Sequence, residues 1–253
     1  MRFRIIVQGM PLFAYLKGMP LFLKEYREIR RQADVSGESF PFGKLYPCLQ
    51  EKGQESGVLA EHYFYQDIYV ARKVFQNNPV RHVDIGSRID GFVAHVASFR
   101  EIEVLDVRDL HLGLPHIRFT RADLSAKDFP LTDCCDSLSC LHALEHFGLG
   151  RYGDPVDYDG HRVGWENMHR ILKKGGKFYF SVPIGEQRIE FNAHRVFSIA
   201  YLLRLMEKRY DIDSFSYIND AGRFISDAEL DEASVRKNFG CRYGCGIFEL
   251  TKR

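Results

Sequence analysis

His82–Phe92 reads HVDIGSRIDGF. It opens as a short apolar run, carries Asp84 near the end of that run and Gly86 two residues later, and turns through a second glycine into a helical pattern. A brief apolar run of this kind is the signature of a buried parallel strand. Glycine at the turn lets the backbone approach a ligand with no Cβ in the way. The helix that follows presents unpaired N–H groups. Asp84 argues against a phosphate cradle, because a carboxylate there repels pyrophosphate; an acid beside the turn suits a cationic or hydroxyl-rich ligand. The stretch therefore predicts a nucleoside-cofactor site in an α/β domain.

Working outward, Ile102–Asp106 (IEVLD) is a second apolar run ending in an acid, one βαβ unit downstream. A carboxylate at that strand tip can accept both ribose hydroxyls. Ile117–Asp123 (IRFTRAD) and Asp136–Leu141 (DSLSCL) follow, and Leu172–Val182 (LKKGGKFYFSV) reads as a helix end, a two-glycine turn and a strand. Strand-end acids separated by glycine turns put a site along the carboxyl edge of a parallel sheet. Glu61–Asn77 has helical spacing and stops at NNP, so its beginning, His62–Asp67, can fold over that site. Ser198–Arg209 predicts a helix, and Tyr210–Ile218 and Gly244–Thr251 predict closing strands. Pattern alone yields an α/β, mostly parallel sheet.

These residues resemble class I S-adenosylmethionine-dependent methyltransferases over roughly residues 61–253. The resemblance implies a Rossmann-like fold: a seven-stranded, mostly parallel sheet with helices on both faces, preceded here by an N-terminal helical extension over residues 1–60. It implies S-adenosyl-L-methionine as cofactor, with Asp84, Gly86 and Ser87 in the first loop, Asp106 at the ribose, Asp123 at the adenine amino group, and His142 beside the cofactor. HYFYQD, HVDIGSRIDGFVAH, SCLHALEHFGLGRYGDP and FNAHRVFS are similar to a family of unknown function first named from Caenorhabditis sequences. Such proteins also occur in bacteria, often with polysaccharide-biosynthesis functions. That association implies O-methylation of a sugar or nucleotide-linked glycan. Many methyltransferases have a D-x-G-x-G-x-G loop, whereas Arg88 and Asp90 stand here for the second and third glycines. A non-catalytic methyltransferase-like binding module therefore stays open as an alternative. An NAD-dependent oxidoreductase is disfavoured by the missing G-x-G-x-x-G and by Asp84. Arg88 is either solvated or reaches the methionyl carboxylate.

Methyl transfer from a sulfonium requires alignment of the acceptor and exclusion of water. An alcohol acceptor must also lose its proton, work suited to histidine. His142 and His146, which flank Glu145 after the fourth strand, and His194 beyond the fifth are the base candidates; the plain alternative is local capping. Gly148–Arg162 (GLGRYGDPVDYDGHR) is dense in turn residues. Its Arg151 suits a phosphate, and Asp154, Asp157 and Asp159 suit sugar hydroxyls. Asn192 and Arg195 of FNAHR add donors for the substrate.

The 253 residues make one large domain with an extension. Net charge is +1, so no global field recruits nucleic acid. Six scattered cysteines with no signal peptide and no CxxC pair read as reduced structural thiols in a cytoplasmic protein, with no metal expected. No apolar run reaches the ~20 residues needed to cross a bilayer. The apolar, basic N-terminus reads either as a packing extension or as a peripheral membrane contact.

Overall fold

The computed structural model describes residues 12–36, 41–45, 47–49, 61–110 and 113–253. The chain divides into two units, Met1–Leu59 and Ala60–Arg253. In the first, helix α1 (Leu12–Val35) runs through Pro20. Within this unit Tyr26 meets Phe42 edge-to-face at 5.9 Å, and Arg30 lies 4.7 Å from the same ring. Residues 1–11, the first part of the apolar, basic N-terminus, lie outside the described residues.

The second unit is built on one sheet. Its strands are β1 (His82–Ile85), β2 (Ile102–Asp106), β3 (Ile117–Arg121), β4 (Cys135–Leu141), β5 (Leu172–Ile184), β8 (Tyr210–Ile218), β9 (Phe224–Ile225) and β10 (Gly244–Lys252). They lie in the order β3-β2-β1-β4-β5-β10-β8-β9. The first five are parallel, and β10 runs antiparallel to both β5 and β8. The sheet has eight strands rather than the expected seven, because the two residues of β9 add to the edge of β8. So short a segment has no periodicity to read.

Helices cover both faces, and strand alternation explains why. Val83, Ile85, Leu105, Leu138 and Cys140, with Phe178 and Phe180, face one core, which packs against α4 (Gly160–Ile171) and α5 (Ile199–Met206). Trp165 of α4 is its centre, 5.1 Å from Phe180, 5.6 Å from Phe178 and 5.5 Å from Tyr210. Ile102, Val104, Leu141 and Ile247 face the other way, toward α2 (Glu61–Asn77) and α3 (Ala94–Ala97). Leu172–Lys174 belongs to β5 rather than to the end of a helix; α4 stops at Ile171. The described residues joining β2 to β3 carry no helix, in keeping with Gly113 and Pro115 in that connection.

FNAHR is part of a hairpin that single-segment pattern reading does not reveal. Strands β6 (Arg188–Glu190) and β7 (His194–Val196) pair antiparallel around Phe191–Ala193. The hairpin therefore stands beside the carboxyl ends of β4 and β5, where Phe197 bridges to Ile184.

Candidate active site

The strand order reverses between β1 and β4, the point at which open α/β sheets bind ligands. There the chain forms an open cleft of about 800 Å³ whose walls include Gly86, Asp106, Asp123, His142, His146 and Tyr63.

Gly86 adopts φ +66, and a Cβ there would stand 3.2 Å from the Ala143 Cβ. The turn therefore needs glycine for both conformation and space. Asp84 has a different task. It is fully buried and does not line the cleft. Its carboxylate accepts from the Ser87 N–H at 3.0 Å, the Ser87 hydroxyl at 2.7 Å and the Ser139 hydroxyl at 2.5 Å. Burial pushes its pKa up to about 6 against the pull of these donors. Behind it, His82 lies 3.2 Å from the Ser139 hydroxyl and 2.8 Å from Ser137. Since Ser139 donates to Asp84, its oxygen is left to accept from His82 Nε2–H, and His82 Nδ1 accepts from Ser137. Asp84 and Ser87 thus hold the shape of the loop.

Arg88 and Asp90, in place of loop glycines, pair with each other at 2.8 Å on the surface. Arg88 also stands 5.4 Å from the Tyr63 ring. Close packing of the loop falls instead on Gly91, where a Cβ would meet Asp67 of α2 at 2.3 Å.

Asp106 ends β2 at the cleft. Arg108 grips it with two side-chain bonds, at 3.0 and 2.6 Å, and one from its backbone N–H at 2.8 Å. The same guanidinium lies 4.5 Å from the Tyr152 ring. Asp123 accepts from the Ser125 N–H at 2.8 Å and from its hydroxyl at 2.6 Å. Neither Arg108 nor Tyr152 stands out in the sequence; the available signal is an arginine two residues after a strand-end acid.

The histidines differ sharply. His142 closes β4 in the left-handed region, φ 52. Its Nδ1 donates to Glu145 Oε1 at 2.9 Å, while its buried Nε2 and the second Glu145 oxygen have no partner among the described residues. Burial disfavours charge on His142, but the Cys245 sulfur and the Glu145 carboxylate outweigh it and hold the pKa well above the ordinary value. Burial likewise disfavours charge on Glu145, and its bond to His142 overcomes it, so Glu145 titrates low. The two form an imidazolium–carboxylate pair. His62 and Tyr63, at the start of α2, cover His142 with ring centroids 5.7 and 5.2 Å away.

His146 Nδ1 lies 2.7 Å from the Ala193 carbonyl, which can only accept, so the ring proton is on Nδ1. Burial lowers its pKa, with Glu145 opposing. His146 is therefore neutral at pH 7, with its Nε2 lone pair 3.8 Å from Glu145. His194 does not line the cleft; it pairs with Glu190 at 3.2 Å and its ring lies tilted against Tyr243, centroids 5.0 Å apart.

Among the substrate candidates only Asp154 lines the cleft, and it also organises its own loop, accepting from the N–H groups of Gly148, Gly150 and Tyr152. Arg151 donates to the Ala193 carbonyl at 2.8 Å and lines an adjoining hollow with Arg108. Asp157 accepts from the Asp159 N–H within the loop. Asn192 is exposed in the hairpin turn. Asp159 and Arg195 line a separate groove behind the loop. No group of three or more His, Cys, Asp or Glu suited to a metal occurs among the described residues, and the six cysteines are free thiols. No helix among the described residues is long and apolar enough to cross a membrane.

Residues 118–239, just under half of the chain, match the model of a family described as Caenorhabditis protein of unknown function, DUF268. Comparison with curated protein sequences finds no significant match. Among solved structures, the [4+2]-cyclase SpnF is 13% identical, covering 74% of this chain and 80% of its own, with a TM-score of 0.52. MccD protein is 10% identical, with coverages of 75% and 96% and a TM-score of 0.50. The N-methyltransferase NodS from Bradyrhizobium japonicum WM9, solved with S-adenosyl-L-homocysteine, is 13% identical over 76% and 89%, with a TM-score of 0.48. The likeness is one of fold: the chain has the Rossmann-like fold of class I S-adenosylmethionine-dependent methyltransferases. A neighbour that is a cyclase means that this fold alone does not specify methyl transfer.

Proposed function

We propose that the protein is an S-adenosylmethionine-dependent methyltransferase whose acceptor is a hydroxyl of a sugar or nucleotide-linked glycan. The observation that carries this reading is the convergence of Gly86, Asp106, Asp123 and a neutral, lone-pair-bearing His146 on one cleft at the switch point. The residues present fit the cofactor. Gly86 leaves room for close backbone approach, and Asp106 and Asp123 are acceptors for ribose hydroxyls and the adenine amino group. The buried, unpartnered His142 Nε2 offers a charged donor for a bound oxygen.

When bound, S-adenosylmethionine supplies a methyl group on a sulfonium. Asp106 would hold ribose hydroxyls, giving up part of its bonding to Arg108. His146 Nε2 would take the proton of the acceptor hydroxyl, and the methyl donor would leave as its neutral thioether once the C–S bond is broken. Glu145 holds His142 in place through its Nδ1 bond, whereas His146 keeps a lone pair on Nε2, which favours His146 as the base. Tyr63 and Tyr152 line the cleft with ring surface that narrows the access of water. The sugar acceptor rests on the family association and on the polar loop carrying Asp154.

A non-catalytic binding module is the second reading, favoured by the Arg108 grip on Asp106. Calorimetric titration with S-adenosylhomocysteine and with NAD tests the cofactor; an acceptor screen with labelled methyl donor tests the reaction. Micromolar binding of S-adenosylhomocysteine, about 8 kcal/mol, with methyl incorporated into a nucleotide sugar is the expected result. Binding without turnover on any acceptor favours the module, and NAD binding alone overturns both.

A further inference from the structure

Behind the loop that walls the cleft lies an open groove of about 1390 Å³ that shares none of the cleft's residues. Four arginines line it, Arg162, Arg188, Arg195 and Arg204, against a single carboxylate, Asp159. Counting Glu190, which pairs with Arg188 beside the groove, four guanidinium groups meet two acids, a local surplus of two charges in a chain whose formal net charge is only +1. Three elements supply them: the start of α4 and, beyond β5, the β6–β7 hairpin and α5, which follow one another in the chain.

Their pairing is incomplete. Arg204 is exposed and has no carboxylate within ion-pair distance among the described residues; its guanidinium stands 5.8 Å from the Tyr201 ring. Arg195 is buried, 4% exposed, and its hydrogen bonds go to backbone carbonyls, of Phe147 at 2.6 Å, Tyr158 at 3.1 Å and Glu145 at 3.4 Å, with Asp154 and Asp157 as the nearby carboxylates. Arg162 occupies the first turn of α4, where the helix dipole disfavours a cation, and meets Asp159 at 3.5 Å. Arg188 pairs with Glu190 at 2.7 Å and donates from Nη1 to the Glu186 and Arg242 carbonyls at 3.1 Å, leaving Nη2 unengaged among the described residues, and both side chains of the ion pair are solvent-accessible. Exposed pairs of this kind contribute little and exchange readily. The Tyr201 hydroxyl, held 2.8 Å from the buried His161, adds a polar group to the same wall.

We propose that this groove is a second ligand site, one that takes a phosphate or pyrophosphate group. A carboxylate has two oxygens and satisfies one guanidinium fork; a phosphate or pyrophosphate has enough oxygens to meet three forks at once. An anion there also offsets the unfavourable placement of Arg162 on the helix dipole. The groove is larger than a lone phosphate requires, and Tyr158 and Tyr201 supply apolar ring surface for the organic part of a phosphate ester. The assignment does not depend on methyl transfer, since the cleft and the groove have separate walls.

The test uses the full chain. Inorganic pyrophosphate and uridine diphosphate are titrated by calorimetry into the parent and into the double variant Arg188→Ala/Arg204→Ala, with S-adenosylhomocysteine binding as the control for fold and cleft. Saturable pyrophosphate binding that weakens at least tenfold in the variant, and weakens with added salt, is the expected result. Uridine diphosphate binding more tightly than pyrophosphate identifies a soluble nucleotide as the source. Stronger retention on vesicles of phosphatidylcholine with 30 mol% phosphatidic acid (about a third of the lipid), lost in the variant, identifies a lipid phosphate. No saturable binding of any of the three, or binding unchanged in the variant, overturns the proposal. Arg204→Lys, which keeps the charge but not the fork, should recover only part of the affinity.

Discussion

Asp106 is the residue on which cofactor affinity should turn. Its carboxylate sits 12% exposed at the end of β2, with Arg108 as its only charged partner in contact among the described residues. Asp106→Ala removes a charge-assisted acceptor, and the expected loss of S-adenosylhomocysteine affinity is about 1.5–3 kcal/mol by calorimetry. Equal affinity in a folded variant would remove Asp106 from the ribose role. His146 and His142 separate by charge state. His146→Gln should lower turnover by ~10²–10⁴-fold and spare cofactor affinity. The parent rate should rise with pH through a histidine pKa below the ordinary value, since burial lowers that of His146. His142→Gln should instead weaken binding, because it removes the charged donor and leaves Glu145 buried without its partner. A rate that survives His146→Gln with its pH profile intact would move the base elsewhere.

At the scale of elements, the loop between β4 and α4 is the piece that makes two sites out of one sheet edge. His146, Phe147, Tyr152 and Asp154 face the cleft, while Tyr158, Asp159 and Arg162 face the arginine groove. Gly148 is its pivot. It has φ +73, and a Cβ there would lie 2.0 Å from the Asp157 carbonyl oxygen. Gly148→Ala must therefore shift backbone against backbone. We expect it to lower stability by roughly 1–3 kcal/mol and to depress turnover more than cofactor binding, because Asp106 and Gly86 belong to other elements. Thermal denaturation together with S-adenosylhomocysteine titration reads both effects. Unchanged stability would mean that the loop relaxes without its present path.

Over the whole molecule, stability rests on a sheet buried on both faces, with Trp165 of α4 as the largest side chain on one of them. Trp165→Ala leaves a cavity among Phe178, Phe180 and Tyr210, and the expected loss in urea denaturation is about 3–5 kcal/mol. Acid sensitivity follows from His82. Burial holds its pKa down to about 3, whereas the unfolded chain takes up a proton near the ordinary value of 6.5. The unfolded state thus binds more protons between those values, and stability falls as pH drops from about 6.5 toward 3. Asp84 works with the opposite sign. Its folded pKa of about 6 lies above the ordinary 3.8, so its contribution is full below 3.8 and lost as pH rises through 6. The His82→Gln variant should show a flatter loss of stability between pH 6.5 and 4 than the parent, by on the order of 2–4 kcal/mol. An identical slope would show that His82 does not titrate on unfolding.

Local chemistry was enough to read α2, β2 and β8 to their ends, because each is a self-contained apolar run or helical period bounded by a breaker or an acid. The same local signals indicated an α/β, mostly parallel sheet, a glycine turn after β1 and acids at strand tips, while the strand order came from the family resemblance. Whether an acid at a strand end faces the cleft or the interior depends on what the neighbouring strand presents. Asp84 meets Ser139, fifty-five residues on, and turns inward; Asp106 meets open space and Arg108. The histidines of LHALEH look alike in sequence, and only the Ala193 carbonyl, brought across by the β6–β7 hairpin, gives His146 its tautomer. The arginine groove is a product of folding in the same sense, since Arg162, Arg188 and Arg204 share no segment and no spacing. Sequence determines an element when the forces that make it act between near neighbours; charge state and site geometry come from contacts between distant ones, which only the tertiary structure decides.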